Sequence, residues 1–301
     1  MLKINLHSYY NYVKGVKLDK LSGIYGAIIG DIAGSRFEFK PHRNKDFELL
    51  YSFSGNGYSE NQTVEDLFKS SHFTDDTVMT IAVANALIEA NGKYDNLTEL
   101  VVKNMKTFGN KYPYRGYGYN FQQWLIRDTV EPYNSLGNGS AMRISAVPYF
   151  AKNIEEVKKF SKMVSEVTHN HPEGIKGAEA VAVAIYLALH NHTKEEILKE
   201  IEENYYSLDF DYEELKQSYK FNETCPGSVP QSIFAFKIST TYEDTIRTAI
   251  SMGGDADTMA CISGAIAGAF YGVPNNLKKD VLKFIPSEFI DILNKFEKSI
   301  L

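Results

Sequence analysis

Residues 74–77, Thr-Asp-Asp-Thr, set two adjacent carboxylates, Asp75 and Asp76, between two threonines at the entrance to the apolar stretch VMTIAVANAL. One acidic or hydroxyl side chain is enough to cap a helix, since it accepts from an orphan backbone N–H and offsets the dipole. A second carboxylate goes beyond that need, because like charges repel unless a cation lies between or beside them. Residues 255–258, Asp-Ala-Asp-Thr, repeat this chemistry at the mouth of a Gly/Ala-rich stretch, where Asp255 and Asp257 precede Thr258. Gly253 and Gly254, just ahead of them, are expected to let the backbone bend close to a ligand. Capping accounts for either segment alone and gives no reason for the duplication. Together the two mouths form a hard-oxygen set suited to Mg²⁺ or Mn²⁺ and unsuited to soft-ligand metals. If they face one another they could hold two ions about 3.5–4 Å apart, as in two-metal hydrolytic centres.

Four further segments carry side chains with chemical potential. In GDIAGSRFEF, residues 30–39, Asp31 reads as a partly buried carboxylate bonding local N–H groups. Glu38 lies between Phe37 and Phe39, surroundings that raise a carboxyl pKa unless a cation or donors hold it ionised, so it is a candidate oxygen ligand or acid/base. SLGNGSAMR, residues 135–143, is either an anion site with backbone N–H groups aimed at a phosphate or a plain turn into a helix. In THNHPEG, residues 168–174, His169 suits a substrate hydrogen bond or loop packing better than zinc, for which no partner cluster exists. The aromatic, Gly-rich segment YPYRGYGYNFQQW, residues 112–124, either stacks on a ring or closes the core.

Helical periodicity supplies the elements that must hold these groups: 21–33, 75–91, 97–109, 140–150, 154–168, 174–191, 194–204, 212–219, 242–251, 256–271 and 288–299. The best strand candidate is FELLYSF at 47–53, and the class is all-α. Gly and Pro fall singly at element ends and no linker-like tract divides the chain, so one compact domain over 20–301, after an extension at 1–19, is expected. The loops at 40–62, 110–120 and 128–140 exceed what helix connections need, which marks them for function. YGAIIGDIAG at 25–34 echoes SGAIAGAFYG at 263–272; helices so poor in bulk belong at the centre, with neighbours pressed against them.

At 301 residues, 44% hydrophobic and 23% charged, the chain can bury a large core. A formal charge of −6 leaves no basic footprint for nucleic acid or anionic membrane. Cys225 and Cys261 are too few and too far apart for a disulfide framework or a thiolate metal site, which favours a reducing compartment. The opening MLKINLHSYYNYVKG has no apolar signal region and no run is long enough to span a bilayer, so a cytoplasmic location is expected.

Taken in order, GAIIGDIAGSRFE, FTDDTVM, GNGSAMR, the Thr-His pair at 168–169 and GGDADT before a Gly/Ala-rich helix resemble the ADP-ribosylglycohydrolase family across residues 24–272. The resemblance implies an all-α orthogonal bundle with two Mg²⁺ or Mn²⁺ ions at the foot of a cleft. Carried over by position, Thr74, Asp75, Asp76, Asp255, Asp257 and Thr258 are the implied metal ligands, and Glu38 is the acidic residue at metal or substrate. Ser135, Leu136, Gly137, Asn138, Gly139 and Ser140 match the loop that holds diphosphate and distal ribose, His169 a substrate-contacting histidine, and Tyr117 a substrate contact in the aromatic loop. The implied reaction is hydrolysis of the N- or O-glycosidic bond between ADP-ribose and a modified protein side chain, releasing ADP-ribose, with Glu38, Asp76 or Asp255 moving the proton. The segment at 112–120 lacks the acidic residue of arginine-acting members, which leaves the acceptor open. Hydrolysis of another ADP-ribose adduct, on nucleic acid or an acyl group, and non-catalytic binding are the alternatives; a monomer is expected.

Overall fold

The computed structural model describes residues 21–300, apart from 54, 56, 61, 62, 64 and 66–68. Among these residues lie fourteen α-helices: α1 Ser22–Gly34, α2 Asp75–Ala90, α3 Leu97–Lys111, α4 Tyr119–Ile126, α5 Gly139–Met142, α6 Ile154–Ser165, α7 Pro172–Leu189, α8 Lys194–Asn204, α9 Tyr212–Ser218, α10 Cys225–Ile238, α11 Tyr242–Ser251, α12 Ala256–Tyr271, α13 Asn275–Val281 and α14 Ser287–Ser299. No strand occurs among the described residues, whose one isolated bridge joins Gly137 and Thr224, so the protein is all-α as expected. The expected extension at 1–19 lies outside the described residues.

The two small-residue stretches become α1 and α12, which run antiparallel in direct backbone contact. A Cβ on Gly26 would stand 2.1 Å from the Gly264 carbonyl oxygen, one on Gly30 2.0 Å from that of Ala260, and one on Gly34 2.5 Å from that of Ala256. Every fourth residue of α1 therefore meets every fourth residue of α12, and only glycine permits that approach. The antiparallel sense sets the C-terminal end of α1, which carries Asp31 in its last turn and Glu38 just beyond it, against the N-terminal mouth of α12. Helix α2 adds Val78, Met79, Ile81 and Val83, all fully buried, to the same core.

Caps set the helix starts where the sequence announces them. Asn153, Thr193, Asp211, Thr224 and Thr241 each accept a backbone N–H from the first turn of the helix that follows. The expected helix at 140–150 is instead the single turn α5 followed by a 3₁₀ run, Ile144–Tyr149, that contains Pro148. The strand candidate at 47–53 is irregular: Ser71 Oγ and Ser70 Oγ accept from Tyr51 N and Phe53 N, so side chains take the donors that a ladder would use.

Candidate functional site

The two acidic mouths face one another. Thr74, extended at φ −111°, caps α2 by accepting from Asp76 N. Asp31 fixes this mouth from α1: its carboxylate accepts from Thr74 N at 3.0 Å, Thr74 Oγ1 at 2.7 Å and Thr77 N at 3.1 Å, and from Thr77 Oγ1. The opposite mouth needs no such capping, for Asp255 makes no side-chain bond to the start of α12. Its carboxylate is held by Asn138, whose Nδ2 donates to Oδ2 at 2.7 Å, while Thr258 N donates to Asp257 Oδ1 at 2.9 Å. Thr258 Oγ1 donates across the gap to Asp76 Oδ2 at 3.2 Å, which joins residues 182 apart in sequence.

Oxygen atoms of Asp31, Asp76 and Asp257 all lie within 4.8 Å of one another, and so do those of Glu38, Asp255 and Asp257. Asp257 belongs to both triads. Asp75, half-buried on the first turn of α2 with its N–H on Arg115 O at 2.7 Å, stands outside both, whereas Asp31, read from sequence as bonding local N–H groups, instead bonds Thr74 and Thr77, 43 and 46 residues away, and joins a triad. Asp31, Asp76, Asp255 and Asp257 are at most 5% exposed.

Burial and mutual repulsion drive these groups toward the protonated form. Burial pushes Asp31 up to about 6 against its four donors, and Asp255 up to about 6. Burial, with Asp257 and Asp31 nearby, takes Glu38 to about 9; Asp75, Asp76 and Asp257 shift in the same direction. Asp76 Oδ1 is buried without a hydrogen-bond partner. Orphaned carboxylate oxygen, hard donors only and a carboxylate shared by two triads form a donor set that fits two divalent cations of the Mg²⁺ or Mn²⁺ type.

Gly253 and Gly254 correct an expectation. Both have positive φ, 72° and 77°, but the space above them is filled by this chain: a Cβ would meet the Arg43 guanidinium at 2.6 Å and the Tyr219 ring at 2.3 Å respectively. The glycines admit two side chains from the outer loops, and Arg43 there donates to Tyr219 O at 2.9 Å and to Met252 O.

Glu38, Asp75, Asp76, Asp255 and Asp257 lie in the wall of a cavity of about 480 Å³, within the range of small-molecule sites, while Asp31 is fully buried outside its lining. Ser135, Leu136, Gly137, Asn138, Gly139 and His169 line it as well, alongside Gly116, Gly118 and Tyr119 of the aromatic segment. Three sequence candidates lie outside the lining, the first of them Thr74, which is 4% exposed. Ser140 is fully buried and donates to Gly174 O at 2.7 Å, while Tyr117, 4% exposed, stacks on Phe121 with its hydroxyl buried and unpartnered. The loop at 135–140 leads into only the four residues of α5, so little helix dipole backs it. Cavity residues that sequence reasoning passed over include Arg143, inside the GNGSAMR motif, and Phe221, which no motif marked.

The ADP-ribosylglycohydrolase family profile matches residues 18–297. ADP-ribosylhydrolase ARH3 of Mus musculus is 30% identical, with 82% of each chain covered, and that of Homo sapiens is 28% identical over 82% of this chain and 84% of its own. ADP-ribosylarginine hydrolase Tri1 of Pseudomonas putida (strain GB-1) is 26% identical, over 85% of this chain and 71% of its own. A solved structure, an ADP-ribosylglycohydrolase-related protein complex, has the same fold with a TM-score of 0.68 at 19% identity, covering 94% of this chain and 98% of that one. The chain belongs to the ADP-ribosylglycohydrolase family of enzymes.

Proposed function

We propose that the protein is a Mg²⁺- or Mn²⁺-dependent hydrolase that releases ADP-ribose from modified protein side chains. The observation that carries this reading is Asp257, shared by a triad with Asp31 and Asp76 and a second with Glu38 and Asp255. These five carboxylates would hold two cations, with Asp75, Thr74 and Thr258 at their margin. When bound, the cations would supply positive charge for the ribose hydroxyls and lower the pKa of a bound water.

The chain's own groups do the rest. Asp255, tethered by Asn138, and Asp76, tethered by Thr258, are fixed and suit ligation. Glu38, half-buried at the cavity wall, is the least buried member of the two triads, so it is the residue suited to carry a proton to or from the acceptor. The loop at 135–139 and His169 line the same cavity and would take the diphosphate. Gly116, Gly118 and Tyr119 contribute no carboxylate to the cavity, so the structure does not build in a partner for an arginine guanidinium from this loop.

The test is release of ADP-ribose from arginine-linked, serine-linked and nucleic-acid-linked substrates, with Mg²⁺, Mn²⁺ or chelator. Metal-dependent release from a protein substrate is expected. No release from any substrate by protein shown to bind metal would overturn the reading.

A further inference from the structure

Arg143 and Thr168 belong to the two motifs that border the cavity, yet the reading above gives them no task. Arg143 is the one permanently charged cation lining the cavity among the described residues, and it is 1% exposed. Among the described residues no carboxylate pairs with it. Its Nη2 donates to Val164 O at 3.2 Å, Ser165 O at 3.4 Å and Thr168 Oγ1 at 2.9 Å, while Nε is buried without a partner. Thr168 Oγ1 in turn lies 2.7 Å from His169 Nδ1.

We propose that Arg143 is a positioning residue that, through Thr168, fixes His169 as the neutral tautomer with its proton on Nε2, presented to an anionic oxygen of the substrate. A guanidinium can only donate, so it occupies one lone pair of Thr168 and polarises the hydroxyl toward donation. Thr168 then gives its own proton to Nδ1. The opposite arrangement would aim an Nδ1–H at a hydroxyl already facing a cation. Burial first, then the neighbouring Arg143 charge, hold the imidazole neutral, leaving a single ring proton for Nε2.

Nε2 lies at the cavity wall beside two glycines that leave it room. A Cβ on Gly137 would stand 3.3 Å from it and one on Gly139 3.2 Å. In the wall of the cavity that the carboxylates share, this donor is fitted to a phosphate or diphosphate oxygen.

This inference rests on the ADP-ribose reading for its ligand but not for its first readout. Nitrogen NMR of His169 in the free protein is expected to show Nε2 protonated and Nδ1 unprotonated. Thr168→Val should lose that preference and weaken ADP-ribose and inorganic pyrophosphate binding about tenfold, the scale of one hydrogen bond to a charged group. Thr168→Ser should restore both, with Mg²⁺ binding and helical content unchanged throughout. An Nδ1-protonated imidazole in the wild type, or Thr168→Val with wild-type tautomer and affinity, overturns the inference. Failure of the wild type to bind ADP-ribose overturns the proposed function instead, and the tautomer measurement still decides this one.

Discussion

Thr74 reaches back 43 residues to Asp31 and bonds it twice, through its amide at 3.0 Å and its hydroxyl at 2.7 Å. Thr77 bonds the same carboxylate twice more. The first acidic mouth is thus seated on α1 by a buried carboxylate with four donors, while its neighbour Asp76 has one oxygen with none. Burial raises the pKa of both aspartates, but only Asp31 has donors for both its oxygens, although the two belong to the same triad.

Asp31→Ala strips four donors of their acceptor inside the core. It should lower the unfolding free energy by about 3 kcal/mol, the scale for breaking a buried charged hydrogen-bond set. Urea unfolding in chelator reads this directly. A loss below about 0.5 kcal/mol, the level of an ordinary surface change, would show that the Asp31 bonds do not seat α2.

Asp76→Asn removes a buried carboxyl whose ionised form is disfavoured by burial and by Asp31, Asp257, Asp75 and Asp255. In chelator the variant should be as stable as the wild type or about 1–2 kcal/mol more stable, the sign expected when an uncompensated buried charge is neutralised. Mg²⁺ at about one hundred times its Kd should add about 2.7 kcal/mol to the wild type and little to the variant. Calorimetry checks both arms; an undiminished Mg²⁺ response in Asp76→Asn removes this residue from the metal set.

The sequence carried the helices and the acidic mouths because both depend on local signals. Caps such as Thr193 and Thr241, and apolar periodicity, mark nine of the α-helices to within two residues at each end. Helix α10 escaped because Pro226 and Pro230 read as turn residues; burial of Val229, Ile233 and Phe236 outweighs the lost hydrogen bond. Helix α4 was legible in principle, since Phe121, Trp124 and Leu125 recur at helical spacing inside what read as a loop. The triad role of Asp31 could not be read, because it depends on which helix lies opposite α1. Gly253 and Gly254 were marked for the right reason, close approach, but the approaching groups, Arg43 and Tyr219, come from distant segments.

Gly30→Ala tests the contact that joins the two halves of the site. Its Cβ would stand 2.0 Å from the Ala260 carbonyl oxygen, a backbone atom that cannot swing aside. The helices must separate, and α12 carries Asp255 and Asp257 at its mouth. The variant should lose at least about 3 kcal/mol, the upper range for overpacking, and any folded fraction should bind Mg²⁺ more weakly. Wild-type melting temperature and Mg²⁺ affinity together would disprove the close α1–α12 contact.

Metal-free stability should fall as pH rises. Asp31 and Asp255 are raised from 3.8 to about 6 in the folded chain, and Glu38 from 4.5 to about 9. Below about pH 4 these groups are protonated in both states, so the folded chain keeps its full advantage. Between about pH 4 and 6 the unfolded chain releases protons that folded Asp31 and Asp255 retain, and stability declines; Glu38 extends the decline toward pH 9. Cations reverse this, because they bind the ionised carboxylates and expel the retained protons, so their affinity grows with pH. Thermal melts at pH 5, 7 and 9 in chelator and in Mg²⁺ should therefore diverge, with the Mg²⁺-induced rise in Tm largest at pH 9. Equal rises at pH 5 and pH 9 would mean that the buried carboxylates are already ionised, and that the site holds its charge by some means other than a divalent cation.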